Sequence, residues 1–377
     1  MKRILILIAV LLLPMQVDAS GRLVDHILAE NPLRTGADFS IIANTAAQEG
    51  LFSTTDNYGT THFFRGTHAG LNNNVVFGGH QWKIIRIDGA GNIRLIYNGT
   101  CPNNDCAING NTGGSATSIQ TGPFNNQVNH NRFVGYMFGA ATGTFDEQHA
   151  NVNDSAVKTV VDSWFNTLSQ EDRELLVTSS FCTDRTLVNG TGLDVTSTDY
   201  GAMPRVETGR APTLTCSRTE DVLSLNAGLI TIDEASMAGG VWRVANTDNF
   251  LRTGQIFWTM TPRRVTGNIA SEFDIAANGG LDRSDVSANR GIRPVVVLNK
   301  EVTFEGTGTL TDPYIITELY EETEEPGENE TDEEEAEEGI VNPQTNDINI
   351  IFIAITTTLA MLGATHASFH LQKVRLK

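Results

Sequence analysis

With 377 residues, of which 40% are hydrophobic and 7% aromatic, the chain is long enough for one or two domains with a sizeable core. A net charge of -19 at pH 7 argues against nucleic acid as a partner. Most of that charge is local: residues 318–338 hold thirteen Asp or Glu and no Lys or Arg, so only about six net negatives remain elsewhere.

At the amino end, Lys2 and Arg3 precede an apolar run over residues 4–13, and Val17 and Ala19 supply small residues before Ser20. That order predicts a secretory signal peptide over residues 1–19. Residues 20–50 carry a short helical patch at Leu23, Ile27 and Leu28, interrupted by Pro32. They are expected to form a lead-in segment rather than core, ahead of a globular domain over residues 51–317. Strand signals begin near Thr61. QWKIIRI (residues 81–87) and IRLIY (93–97) flank the turn sequence DGAGN, which predicts a hairpin. Alternation puts Trp82, Ile84 and Arg86 on one face of the first strand, and Ile93, Leu95 and Tyr97 on one face of the second.

Residues 98–131, dense in Asn, Gly, Thr and Ser, read as a long irregular loop. A helix follows, capped by Asp154 or Ser155, with Val157, Val160, Val161, Trp164 and Leu168 on one face. Ser169 with Asp172 starts a second short helix toward Val177. A third begins at Thr231 and ends at Gly239 and Gly240. Asp233 and Glu234 in its first turn read as partners of the helix dipole, not as a catalytic pair. Strands resume at residues 255–260, 272–275 and 291–298, and Pro294 puts the last on an edge or at its own start. Residues 303–316 add one or two short strands. Strands, then helices, then strands make the fold class α+β.

Four cysteines in an exported chain suggest two disulfides. Three pairings are possible; Cys101–Cys106 with Cys182–Cys216 is preferred because the short local loop loses least entropy on closing. Other chemistry is thin. The eight histidines form no HExxH and no tight Cys/His cluster, and there is no GxSxG elbow or Walker loop. His62, His68 and His80 lack a carboxylate in view, and Asn103, Asp105 and Asn109 lie in an oxygen-rich loop of a common kind. No catalytic residue, metal site or cofactor is expected.

The acidic block reads as a disordered linker over residues 318–341, reaching at most roughly 80 Å. Beyond it come Asn342, Pro343, Gln344, Thr345 and Asn346, an apolar segment over residues 348–369, and a basic tail over 370–377 with Lys373, Arg375 and Lys377. Seventeen helical residues span only about 25 Å, short of the ~30 Å hydrocarbon core, so the transmembrane helix needs extension to Phe369. The cations favour the cytoplasmic side, and Pro343 biases Asn342 toward extended backbone. NPQTN, in this context, resembles the sorting signal cut by class B sortases of Gram-positive bacteria. The resemblance implies attack by a sortase cysteine on the Thr345 carbonyl and transfer to peptidoglycan. Haem domains that often accompany such signals use tyrosines at i and i+4; the six tyrosines here never show that spacing. A plain single-pass membrane protein is the alternative.

Five further stretches form a second resemblance: WKIIRIDGAGNIRLIYNGT (82–100), FCTDRT (181–186), GLITIDEASMAGG (228–240), FWTMTP (257–262) and GIRPVVVLN (291–299). Together they resemble a group of uncharacterised bacterial surface domains, a distant branch of the formylglycine-generating-enzyme and C-type-lectin-like fold. This implies a C-type-lectin-like mixed sheet with a few helices and long irregular loops, and a surface role without an established reaction. The expected function is a sortase-anchored, non-enzymatic binding or adhesion protein at the cell surface. Its expected partners are sortase, peptidoglycan, the membrane through the C-terminal helix, and an extracellular protein or glycan. The alternative is a metal-dependent modifying enzyme or oxidoreductase, for which a late Cys or His cluster beside residues 291–299 is missing.

Overall fold

The computed structural model describes residues 21–110 and 113–320. The signal peptide, most of the acidic linker, the sorting motif Asn342 to Asn346 and the expected transmembrane segment lie outside the described residues. Within them, no helix is long and apolar enough to cross a membrane.

The fold is mixed α+β and mostly strand. Its centre is the expected hairpin, His80–Ile87 with Ile93–Thr100. Trp82 faces Tyr97 and Ile84 faces Leu95 across it, and every residue from Gln81 to Tyr97 outside the turn is buried. The turn closes because the Asp88 carboxylate accepts the amides of Ala90 and Asn92 at 3.0 and 2.9 Å. Around the hairpin, a nine-stranded sheet runs from Leu33–Arg34 through Gly50–Asp56 and Gly59–Arg65 to His80–Ile87. It continues through Asn74–Phe77 and Tyr314–Leu319 to Val302–Glu305, while Ile93–Thr100 carries Val295–Leu298 on its far side. A second, seven-stranded sheet is built on the long pair Phe257–Thr266 and Ile269–Ile275.

Strands also form where none was read, at Gly50–Asp56, ahead of Thr61, and at Ser179–Cys182 and Val222–Leu225, and two elements that were read take a different role. The helix Leu23–Glu30, expected to be a lead-in, buries Leu23 and Ile27 completely in the main core. Its three buried positions, Leu23, Val24 and Ile27, make one stripe, too little for a free helix but enough to cover the sheet edge, while Leu28 is exposed. Residues 291–298 form not one strand but two, Arg290–Ile292 and Val295–Leu298, in different sheets. Pro294 has no amide to continue the ladder. Arg293, fully buried at the break, donates instead to the Tyr97 and Leu251 carbonyls, both at 2.8 Å, and to Asn98 Oδ1 at 3.1 Å.

The helices start where their caps are. Ala156–Phe165 begins after Ser155, whose hydroxyl accepts from the Lys158 amide, and Gln170–Glu174 begins after Ser169. Trp164 packs with its ring centre 5.6 to 5.9 Å from those of His80, Trp82 and Tyr97. Both disulfides form as preferred, Cys101–Cys106 and Cys182–Cys216. They agree with folding in an oxidising environment.

Candidate functional site

The site starts from a helix cap. Thr231 accepts the Glu234 amide at 3.1 Å, and Glu234 Oε2 returns to the Thr231 amide at 3.0 Å, closing a capping box on the helix Ile232–Met237. This fixes Glu234 so that its other oxygen, Oε1, turns toward the hairpin. There it meets Arg86 Nε at 2.9 Å and Arg94 Nε at 3.0 Å. The two arginines are cross-strand partners. The Arg86 contact is an aligned hydrogen bond; the Arg94 contact is an ion pair off the line of an N–H···O bond. Arg86 Nη1 also reaches Asp56 at 2.8 Å, and that carboxylate accepts the Gly89 amide at 2.9 Å. Arg94 lies over the Phe181 ring, 4.1 Å from its centre, and donates to the Ser180 carbonyl at 3.2 Å.

A second knot lies beside the first. Arg205 clasps Asp233 through Nε and Nη2 at 2.8 and 2.6 Å, and Nη2 also reaches Asp184 at 2.5 Å. The Thr213 amide donates to Asp233 at 2.9 Å. Asp184 is held in the left-handed region, at φ 40°, by its neighbours: the Thr183 amide donates to the Asp221 carbonyl and the Arg185 amide to the Asp221 carboxylate.

These groups form the floor of a cleft with a cavity of about 60 Å³, space for a few waters. Its walls are Tyr58, the strand Ser179–Cys182 and the segment from Thr213 to Cys216. The disulfide Cys182–Cys216, with Cα atoms 5.6 Å apart, ties the two walls together. Tyr58, an exposed aromatic at the rim, is hydrogen-bonded to the Ser180 hydroxyl.

Burial sets the electrostatics. Asp233 and Glu234 do sit in the first turn of the helix, as read from the sequence, and they are also only 4% and 2% exposed. An isolated buried carboxylate is costly, so each has recruited an arginine. Burial works to raise the Glu234 pKa, but Arg94, Arg86 and the Thr231 amide outweigh it and hold it at about 2. For Asp233, burial wins: together with the Asp184 carboxylate it lifts the pKa above the ordinary value despite Arg205.

Of the residues singled out in the sequence, Cys182 and Cys216 frame this cleft. Cys101 and Cys106 pair elsewhere, beside the turn Pro102–Asn104. All four thiols are spent in disulfides, and among the described residues no group of three or more His, Cys, Asp or Glu converges as a metal cage. The fold and site together define a disulfide-framed α+β domain with a buried charge network beneath a small cleft. Comparison with protein-family models, with curated proteins and with solved structures finds no match to this chain.

Proposed function

We propose that this is an exported protein, anchored by a sortase to peptidoglycan, that displays a non-enzymatic binding domain on a distant branch of the C-type-lectin-like fold. One observation carries the choice of binding site. Four of the five stretches behind the surface-domain resemblance meet in the cleft: the hairpin brings Arg86 and Arg94, FCTDRT brings Phe181, Cys182 and Asp184, the capped helix brings Thr231, Asp233 and Glu234, and FWTMTP brings Thr261. Residues far apart in the chain have been gathered at large desolvation cost under a space open to solvent. Rigid walls around such a space suit recognition. The disulfides agree with export, and the acidic linker with a spacer between domain and wall.

The test uses the fragment of residues 20–341, screened against host-surface proteins and glycans. Thr215 is exposed on the wall of the cleft, so Thr215→Arg blocks the mouth without touching the charge network. Binding that the wild type shows and Thr215→Arg loses is the expected result. Equal binding by the two proteins removes the cleft from the account.

A further inference from the structure

A second surface, separate from the cleft, has the chemistry of a ligand site. On the helix Ala156–Phe165 and just beyond it, Thr159, Ser163 and Thr167 are exposed at successive intervals of four residues and so form one stripe. With half-buried Trp164 and the neighbouring Gln120 they line an open groove of about 410 Å³. The geometry points to this groove as a binding site for an uncharged oligosaccharide.

Four features carry that assignment. First, the lining contains no charged residue, in a domain otherwise rich in ion pairs, so the groove offers nothing to select a charged ligand. Second, the hydroxyl protons are already committed inward. Thr159 donates to the Ser155 carbonyl at 3.1 Å, Ser163 to Thr159 at 2.7 Å and Thr167 to Trp164 at 2.6 Å. Their lone pairs face the groove as acceptors, which suits a ligand dense in O–H donors. Third, the Gln120 side chain is exposed and makes no hydrogen bond among the described residues, leaving a carboxamide to donate and accept. Fourth, Trp164 is wedged against His80, Trp82 and Tyr97. It therefore presents a fixed apolar surface at little entropic cost on binding, of the kind that receives the C–H face of a sugar ring.

The experiment is a fluorescence and calorimetric titration of the full-length protein in mild detergent. The probes are tetrasaccharides of β-1,4-linked N-acetylglucosamine and of α-1,4-linked glucose, with sialyllactose as an anionic control. Trp82 and Trp258 are fully buried, so a ligand-induced emission change reports mainly on Trp164 and Trp242. Saturable binding of at least one neutral tetrasaccharide, little affected by salt and stronger than that of sialyllactose, is expected. Ser163→Arg fills the groove from an exposed position near a helix C-terminus, where a cation is tolerated, and should weaken that binding at least about tenfold. Thr215→Arg in the cleft should leave it unchanged. The assignment is overturned if neither neutral tetrasaccharide binds at 10 mM (an upper limit about tenfold above a millimolar Kd) or if Ser163→Arg binds as the wild type does. It is also overturned if Thr215→Arg, and not Ser163→Arg, abolishes binding; that result moves the saccharide to the cleft and leaves the cleft reading intact.

Discussion

Glu234→Gln should cost the domain about 3–5 kcal/mol at neutral pH, the usual penalty for removing one partner of a buried ion pair. Glu234 is 2% exposed and supplies the anion for both Arg86 and Arg94. Arg86 keeps Asp56 in the variant, whereas Arg94 keeps only a carbonyl and the Phe181 ring. The pH dependence carries its own signature. The folded-state pKa of about 2 lies below the ordinary value of 4.5, so the folded form binds fewer protons than the unfolded form between these values. The stability that follows, about 3 kcal/mol, is fully present above pH 4.5 and is lost as pH falls toward 2. Denaturant melts of the two proteins should therefore differ most near pH 7 and converge between pH 4.5 and 2. A difference that stays constant with pH would mean that the glutamine perturbs packing and that the charge network is incidental.

The double variant Cys182→Ser, Cys216→Ser should lose about 4 kcal/mol, since chain-entropy reasoning scales with the loop that is closed. That loop spans 34 residues, against 5 for Cys101–Cys106, whose removal should cost only about 2 kcal/mol by the same reasoning. For a domain of this size the larger loss lowers Tm by roughly 6 °C. Because the bond joins two walls of the cleft, its loss should also weaken any ligand held there, while the remote Cys101→Ser, Cys106→Ser pair should not. Calorimetry with parallel binding measurements checks both statements. Equal losses from the two double variants would separate the disulfide from the cleft.

The sequence disclosed much of the scaffold and little of the site. The hairpin was legible because its turn chemistry and its β-rich flanks are local signals. So were the caps at Ser155, Ser169 and Thr231, each a side chain answering amides three residues away. Periodicity has no view of what an element packs against. Leu23 and Ile27 made too short a stripe to announce core, and Arg293 broke a run that reads as one strand. The charge network escaped because its members come from six separate places in the chain, at 56, 86, 94, 184, 205 and 233–234. One signal was available: WKIIRI and IRLIY place Lys83, Arg86 and Arg94 in short runs whose other residues are apolar. A charge in that setting has to be buried, and a buried charge needs a partner. Asp233 and Glu234 also satisfied a simpler explanation, the helix dipole, so nothing in their own neighbourhood asked for Arg205 beside Asp233 or for Arg86 and Arg94, at least 140 residues upstream, beside Glu234.

The central claim, export followed by covalent display, is tested most directly by mass spectrometry of wall fragments released with muramidase. The account predicts a mature chain that begins near Ser20, ends at Thr345 and is amide-linked there to peptidoglycan. Thr345→Ala should remain in the membrane fraction with residues 346–377 still attached. Recovery from wild-type cells of an intact chain still carrying Lys377, with none in the wall, would contradict the account and leave a single-pass membrane protein.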